Sequence, residues 1–227
     1  MKSKKVSGKF YRIAFLLFLS LLSLQTFAEK PVVKKIMFFG DSTTGWLAER
    51  LQAYGEKNGF EVATVVWDGA TMRKYANNAA KLKQYITASH PDVVFVSLGM
   101  NEMGTAKPET QLAGHMQKIK NTIGNIPIIW LGPVSWPAHP KWGPALDKWL
   151  PSTLGESHYF SGLGLQLPRQ SKTNPHPTRA GANKWVDELI KWMKEGHAAV
   201  NLPGYAAPTK SFSRPKSYIY KKMSAPL

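Results

Sequence analysis

The 227 residues suit one domain with flanking segments, or at most two small domains, and a hydrophobic share of 43% can supply a sizeable core. The absence of cysteine excludes disulfides, thiolate metal sites and a lipid-modified N-terminal cysteine. The net charge of +16 falls to +11 for residues 29–227 and to +6 for residues 29–196, because residues 1–28 and 197–227 each hold five basic side chains and no acid. Such a charge suits anionic envelope polymers or membranes as well as nucleic acid; no nucleic-acid-binding motif accompanies it, and no nucleic-acid partner is expected.

Lys2, Lys4, Lys5, Lys9 and Arg12 precede an apolar run from Ile13 to Leu24 and then "QTFAEK". A basic n-region, a short apolar stretch and small residues before Glu29 predict a secretory signal over residues 1–28, cleaved after Ala28. The run is shorter than the roughly 20 residues of a membrane span; an uncleaved anchor is the alternative. The protein is expected in a periplasm or the medium, as a monomer folded without disulfides.

From Pro31, apolar runs alternate with helical patterns. "VVKKIMFFG" predicts a buried first strand ending at Gly40. "WLAERLQAYGEKNG" predicts a helix with Leu47, Leu51 and Tyr54 on one face and Asn58-Gly59 as its stop. "FEVATVVW" is a second strand, and Met72, Tyr75, Ala76, Ala79, Leu82 and Ile86 follow at helical spacing. "DVVFVSLG" is apolar almost throughout, as a parallel strand covered on both faces should be. A helix with Leu112, Met116, Ile119 and Ile123 inward leads to the strand "IPIIWLGP". "GPALDKWLPSTLG" predicts a short helix and "HYFSG" a short fifth strand or loop. The last helix carries Ala182, Trp185, Val186, Leu189, Ile190 and Met193 on its apolar face. The alternation implies an α/β domain over residues 29–196, a three-layer α/β/α sandwich with a mostly parallel five-stranded sheet. Residues 197–227, rich in proline and lysine and without periodicity, read as a disordered basic tail, suited to an anionic envelope surface.

Open α/β sheets bind ligands at the carboxyl ends of their strands. The polar stretches at those ends are "GDSTTG", "DGAT", "GMNEMG" and "GPVSW", and "SKTNPHPTRAGANKW" joins the same rim ahead of the last helix. Ser42 stands where strand turns into helix, with the free N–H groups of the helix start behind it. The same stretch also fits a plain helix cap by Asp41, Ser42 or Thr44. A serine nucleophile requires a base and donors for an oxyanion. His176 can be that base, and the N–H groups of Ser42 and Gly69 and the amide of Asn101 can be the donors. Pro175 and Pro177 would stiffen the loop that carries His176.

Together "FFGDSTTG", "DGAT", "GMNE" and "PHPTRAG" resemble, in order and spacing, the blocks of the SGNH (GDSL-type) hydrolase superfamily. The likeness runs from about Ile36 to the last helix. It implies a flavodoxin-like three-layer fold and ester hydrolysis without cofactor, with Ser42 as nucleophile, His176 as general base, and Ser42 N–H, Gly69 and Asn101 as oxyanion hole. Asp41, as neighbour of the nucleophile, would stabilise the turn.

One position departs from the family pattern. Three residues before the histidine the family carries an aspartate, where this chain has Thr173. In a serine-protease triad, exchanging the aspartate for its amide costs about 10⁴ in kcat. Thr173 can accept a hydrogen bond from the ring but brings no charge. A Ser–His dyad, an acid from elsewhere (Asp68 first) and a weakened activity all remain open. Trp46, Trp67, Trp136 and Trp142 lie near rim motifs, where an aromatic face can hold a sugar ring or acyl chain; Trp46 and Trp136 are the chosen substrate contacts. Trp130 and Trp185 read as core, as does His115 on the third helix. No carboxylate–histidine spacing suggests a metal. The functional expectation is an exported serine esterase acting on small-molecule or polysaccharide esters, O-acetyl groups on carbohydrate above all. The alternative is a weak or inactive carbohydrate- or envelope-binding protein on the same fold, for which Thr173 is the main support. A nucleotide-binding protein ranks behind both, because no phosphate-cradling glycine motif follows the first strand.

Overall fold

The computed structural model describes residues 29–221; the expected leader, residues 1–28, and residues 222–227 lie outside the described residues. Six strands, β1 (Lys35–Gly40), β2 (Glu61–Trp67), β3 (Val93–Ser97), β4 (Ile128–Leu131), β5 (Tyr159–Phe160) and β6 (Ser217–Lys221), form one sheet in the order β5-β4-β3-β1-β2-β6. Every pairing is parallel. Between them run α1 (Thr44–Asn58), α2 (Met72–Asn77), α3 (Ala79–Ser89), α4 (Pro108–Gln111), α5 (Ala113–Ile123), α6 (Pro144–Leu154) and α7 (Arg179–Lys194).

Successive side chains of a strand point to opposite faces, so Phe38 and Phe39 of β1 serve two different cores. Phe38 and Phe95 pack with Leu47 and Leu51 of α1 and Trp185 and Leu189 of α7. Phe39, Val94 and Val96 pack with Tyr75, Leu82, Met116 and Leu146 on the other side. All five residues of β3 are buried, as a central strand covered on both faces requires. The three-layer α/β/α fold is therefore the one the alternating pattern implied. Among the described residues no helix is long and apolar enough to cross a membrane.

The helix starts and stops follow local chemistry. α1 ends at Gly59, whose left-handed φ of 84° lets its N–H reach the Gly55 carbonyl. The Thr178 hydroxyl accepts the Gly181 N–H and caps α7. The single helix expected from Met72 to Ile86 is two, parted at Asn78, whose amide donates to the Lys74 carbonyl at 2.9 Å; asparagine competes for backbone partners in this way. Trp130 and Trp185 are fully buried, whereas His115 is half-exposed beside the buried Met116.

The tail corrects two expectations. Residues 197–221 are not a disordered appendage, and the sheet has six strands rather than five. Ala198, Val200 and Leu202 are buried, and Asn201 bridges to the chain start through Val33 N–H at 2.9 Å. The segment then crosses α1, where Asn58 exchanges two hydrogen bonds with Ala206 and Arg50 donates to the Lys210 carbonyl. It ends as β6 alongside β2. Two short signals carry this order, the spaced apolar residues of "AAVNL" and the strand-forming "SYIYK"; the proline and lysine between them mask both.

A chain ending at Gly196 therefore loses part of its core. Val200 and Leu202 alone contribute about 1.5–3 kcal/mol each when buried. The melting temperature should drop by at least about 6 °C, measured by circular dichroism; an unchanged value would show that the tail adds nothing to stability.

Candidate active site

β1 connects to β2 on one side and β3 lies on its other side, so the crevice between the ends of β1 and β3 is the switch point of the sheet, where open α/β sheets take ligands. The two strands approach closely there. A Cβ on Gly40 would lie 2.1 Å from the Ser97 carbonyl oxygen, so only glycine fits. The chain leaves β1 through Asp41, whose buried carboxylate accepts from the Thr43 N–H at 2.9 Å and the Thr43 hydroxyl at 2.7 Å. That turn sets Ser42 at the head of α1 with its side chain facing the crevice, and Asp41 has the turn-stabilising place expected of it.

The Ser42 hydroxyl lies 2.7 Å from His176 Nε2. The opposite ring nitrogen, Nδ1, lies 3.2 Å from Asn174 Oδ1, which also accepts the His176 backbone N–H at 2.9 Å. An atom that accepts a backbone N–H is the carbonyl oxygen of the amide, so the Nδ1 facing it carries the ring proton. Nε2 is then the free base, directed at Ser42. Burial is the main influence on the ring and lowers its pKa; the Asp68 carboxylate opposes this and the Arg169 guanidinium adds to it.

The orienting residue is thus Asn174, not Thr173. Thr173 is exposed and its hydroxyl pairs with Ser171 at 3.1 Å. The reason is local. Asn174 precedes Pro175 and folds its side chain onto the N–H two residues ahead, the turn that Asn-Pro favours. That dipeptide was the sequence signal for this role. The Asp68 carboxylate acts on the ring through its field, favouring the protonated form.

The proposed donors also gather at the crevice. Gly69 has a positive φ of 61° and its carbonyl accepts from Lys74 Nζ at 3.0 Å, which fixes the peptide. Among the described residues no acceptor meets the N–H of Ser42 or of Gly69. Asn101 is exposed, and its Nδ2 donates to the Ala70 carbonyl at 2.8 Å and, weakly, to Asp41 at 3.5 Å. Next to it Glu102 is buried; one oxygen accepts the Met72 N–H at 2.6 Å and the other has no partner among the described residues. Glu102 thereby links the loop of Asn101 to the loop of Gly69. Sequence reasoning passed over it because a glutamate ahead of a polar turn looks solvated.

The rim tryptophans divide. Trp67 is buried, and Trp136 is half-buried with part of its ring against the core. Trp136 also supports a cluster in which His139 stacks on Trp142 with ring centroids 3.8 Å apart. Trp142 is 39% exposed and borders a cleft of about 460 Å³ that reaches Asn101. Trp46 is equally exposed, with Arg179 over its ring. Among the described residues no three histidine, aspartate or glutamate side chains gather closely enough to hold a metal ion.

No protein-family model and no curated protein matches the chain. Solved structures do. A Clostridium thermocellum family 3 carbohydrate esterase is 20% identical, with a TM-score of 0.54 over 73% of this chain and 97% of that one. The structure of TesA is 20% identical, with a TM-score of 0.53 over 70% and 98% of the two chains. A lipolytic G-D-S-L family structure from Desulfitobacterium hafniense DCB-2 is 17% identical, with a TM-score of 0.52 over 69% and 97%. The chain has the three-layer fold of these structures, one of which is of the G-D-S-L family, and the likeness is one of fold.

Burial, reinforced by Asp41, raises the Glu102 pKa from 4.5 to about 7, and burial raises that of Asp41 from 3.8 to about 6. A raised carboxyl pKa means that the folded state binds more protons, so its stability is greatest below the unfolded value and is lost as pH rises through the folded one. For Glu102 the window is pH 4.5 to about 7, and the loss is on the order of 3 kcal/mol. Glu102→Gln keeps the acceptor for Met72 and removes the charge. Urea unfolding at pH 5 and pH 8 should give a smaller stability loss for the variant than for the wild type; equal losses would contradict the buried-charge account.

Proposed function

We propose that this chain is a serine hydrolase of the SGNH type that cleaves short acyl esters, with Ser42 as nucleophile and His176 as base. The observation that carries the reading is the 2.7 Å contact between Ser42 Oγ and His176 Nε2 at the switch point of the sheet, with the ring tautomer held by Asn174. Ser42 Oγ attacks the ester carbonyl while His176 Nε2 takes its proton. The N–H groups of Ser42 and Gly69 receive the oxyanion. Asn101 Nδ2 joins them by giving up its long contact with Asp41. His176 returns the proton to the departing alcohol, then activates the water that hydrolyses the acyl-enzyme. All of this uses side chains and backbone of the chain itself, and no cofactor enters the steps.

The proposed substrate is an acetyl or similar short ester on a carbohydrate. Trp142 beside the Asn101 cleft offers an aromatic edge for a sugar ring, and the cleft volume is in the usual range for small ligands. Among the structures of like fold, one is a carbohydrate esterase. The leader-like residues 1–28 and the absence of cysteine support export to the periplasm or medium, and the enzyme acts as a monomer. The basic residues near the C-terminus suit an anionic envelope surface. A second reading, a binding protein of weak activity, draws on the neutral orienter: His176 is hydrogen-bonded to an amide rather than to a carboxylate.

Residues 29–227 should hydrolyse 4-nitrophenyl acetate, with Ser42→Ala and His176→Ala each lowering kcat by at least about 10³-fold. Turnover that survives both substitutions sinks the Ser–His reading, and no turnover on any acetylated substrate favours the binding protein. Asn174→Ala should cost about 10–100-fold in kcat through loss of the ring tautomer and orientation, whereas Thr173→Ala should stay within about twofold of wild type. The reverse ranking would return the orienting role to Thr173.

A further inference from the structure

Arg169 lies seven residues before His176, outside the motifs that carry the resemblance. Its guanidinium serves three backbone carbonyls. Nη1 donates to Pro175 in a short contact and to Asn174 at 3.5 Å, and Nη2 donates to Ser135 at 2.6 Å. Asn174 and Pro175 are the two residues that lead into His176, and Ser135 belongs to the loop after β4. Arg169 also pairs antiparallel with Pro177 through the backbone. One side chain thus spans the loop from 169 to 177 and ties it to the neighbouring rim loop. The planar guanidinium can meet several carbonyls at fixed angles, which an ammonium cannot.

Among the described residues no carboxylate lies within ion-pair distance of Arg169, although it is half-buried. Carbonyl dipoles replace its water, and its field acts on its surroundings. Of the charges facing His176, Asp68 on the loop after β2 favours the protonated ring and Arg169 disfavours it. Lys74 on α2 is turned to the Gly69 carbonyl, and Arg179 on α7 is paired with Glu49 of α1 at 2.6 Å. The Asp41 and Glu102 carboxyls lie behind Ser42 and bond to backbone N–H groups.

We infer that Arg169 is a positioning residue for the base: by joining the Asn174 and Pro175 carbonyls to that of Ser135, it holds the His176 loop in reach of Ser42. Its charge, beside the ring, also opposes protonation of the imidazole. This rests on the reading of Ser42 and His176 as nucleophile and base. A loop carrying the general base needs its ring fixed within a fraction of an ångström, and a misplacement of about 1 Å can cost on the order of 100-fold. The two prolines limit the backbone, and Arg169 joins that stiff segment to the β4 loop.

The test uses Arg169→Met and Arg169→Lys in the otherwise intact chain, with 4-nitrophenyl acetate from pH 4.5 to 9 and an NMR titration of the His176 ring. Arg169→Met should lower kcat by about 10–100-fold with KM little changed. Removing the cation also removes a field that opposes ring protonation, so the acid limb of kcat/KM and the NMR titration should both move to higher pH. Arg169→Lys keeps the charge and loses the three-way bond, so kcat should fall while the acid limb stays in place. An Arg169→Met enzyme whose acid limb and His176 titration match the wild type overturns the inference whatever its kcat, since a merely structural residue would behave so. If Arg169→Met does not fold, Arg169→Lys with wild-type kcat overturns it. Wild-type turnover in Ser42→Ala would instead sink the hydrolase reading, and the NMR titration would still decide the role of Arg169.

Discussion

The contact between Ser42 and His176 joins two residues 134 positions apart, and most of the architecture bears on whether that contact forms. Ser42 rides on the turn between β1 and α1, and His176 on the loop ahead of α7. Those two helices pack on the same face of the sheet and share one core through Leu47, Leu51, Trp185 and Leu189. A second link lies near the crevice, where Arg179 on the first turn of α7 pairs with Glu49 of α1. The pair is partly exposed and adds little by itself. Its value is directional, since it fixes the start of one helix against the other. The tail continues this bracing: Arg50 and Tyr54 of α1 both bond Asp187 of α7, while Arg50 also holds the Lys210 carbonyl.

Behind Ser42 the structure accepts an electrostatic cost. Asp41 and Glu102 are buried carboxyls, and the charge of Asp41 adds to the burial that raises Glu102. Each accepts a backbone N–H that fixes a loop, Thr43 in the nucleophile turn and Met72 beside the Gly69 loop. Asn101 spans the same gap by reaching Ala70 and Asp41. The three side chains bind the loops after β1, β2 and β3 into one unit. A neutral Glu102 would suit its buried site better than an ionised one, because its second oxygen lacks a partner. The arrangement ties loop geometry to proton uptake near neutral pH.

The sheet and its helices were legible because burial on both faces leaves a strong mark on sequence. "VVFVS" and the apolar stripe of α7 read directly as β3 and a core helix. Ser42, Gly69, Asn101 and His176 were legible because each follows a strand or precedes a helix at the same end of the sheet. What escaped depends on relations that sequence does not order. Asn174 and Thr173 are adjacent polar residues, and only the fold of the Asn-Pro turn decides which one meets the ring. Arg169 bonds carbonyls, which leave no side-chain pattern to search for. The tail looked disordered because its core residues are sparse, and its strand pairs with residues more than 150 positions away.

If His176 acts as the proposed base, an amide bonded to Nδ1 changes what the field around the ring must do. A carboxylate bonded to Nδ1 would hold the tautomer and stabilise the imidazolium formed during attack; Asn174 does only the first. The Asp68 carboxylate favours the charged ring through its field, and Arg169 opposes it. Burial and Arg169 together lower the pKa of the ring and so favour its neutral form. The same forces raise the energy of the charged ring, so less stabilisation reaches the transition state than an aspartate would give. Papain-like proteases use an asparagine in the same position beside a histidine, but there the nucleophile is a thiol that ionises readily. With a serine as the proposed nucleophile, the burden of charge stabilisation would fall on the N–H groups of Ser42 and Gly69 and on Asn101, whose loops Asp41 and Glu102 brace from beneath.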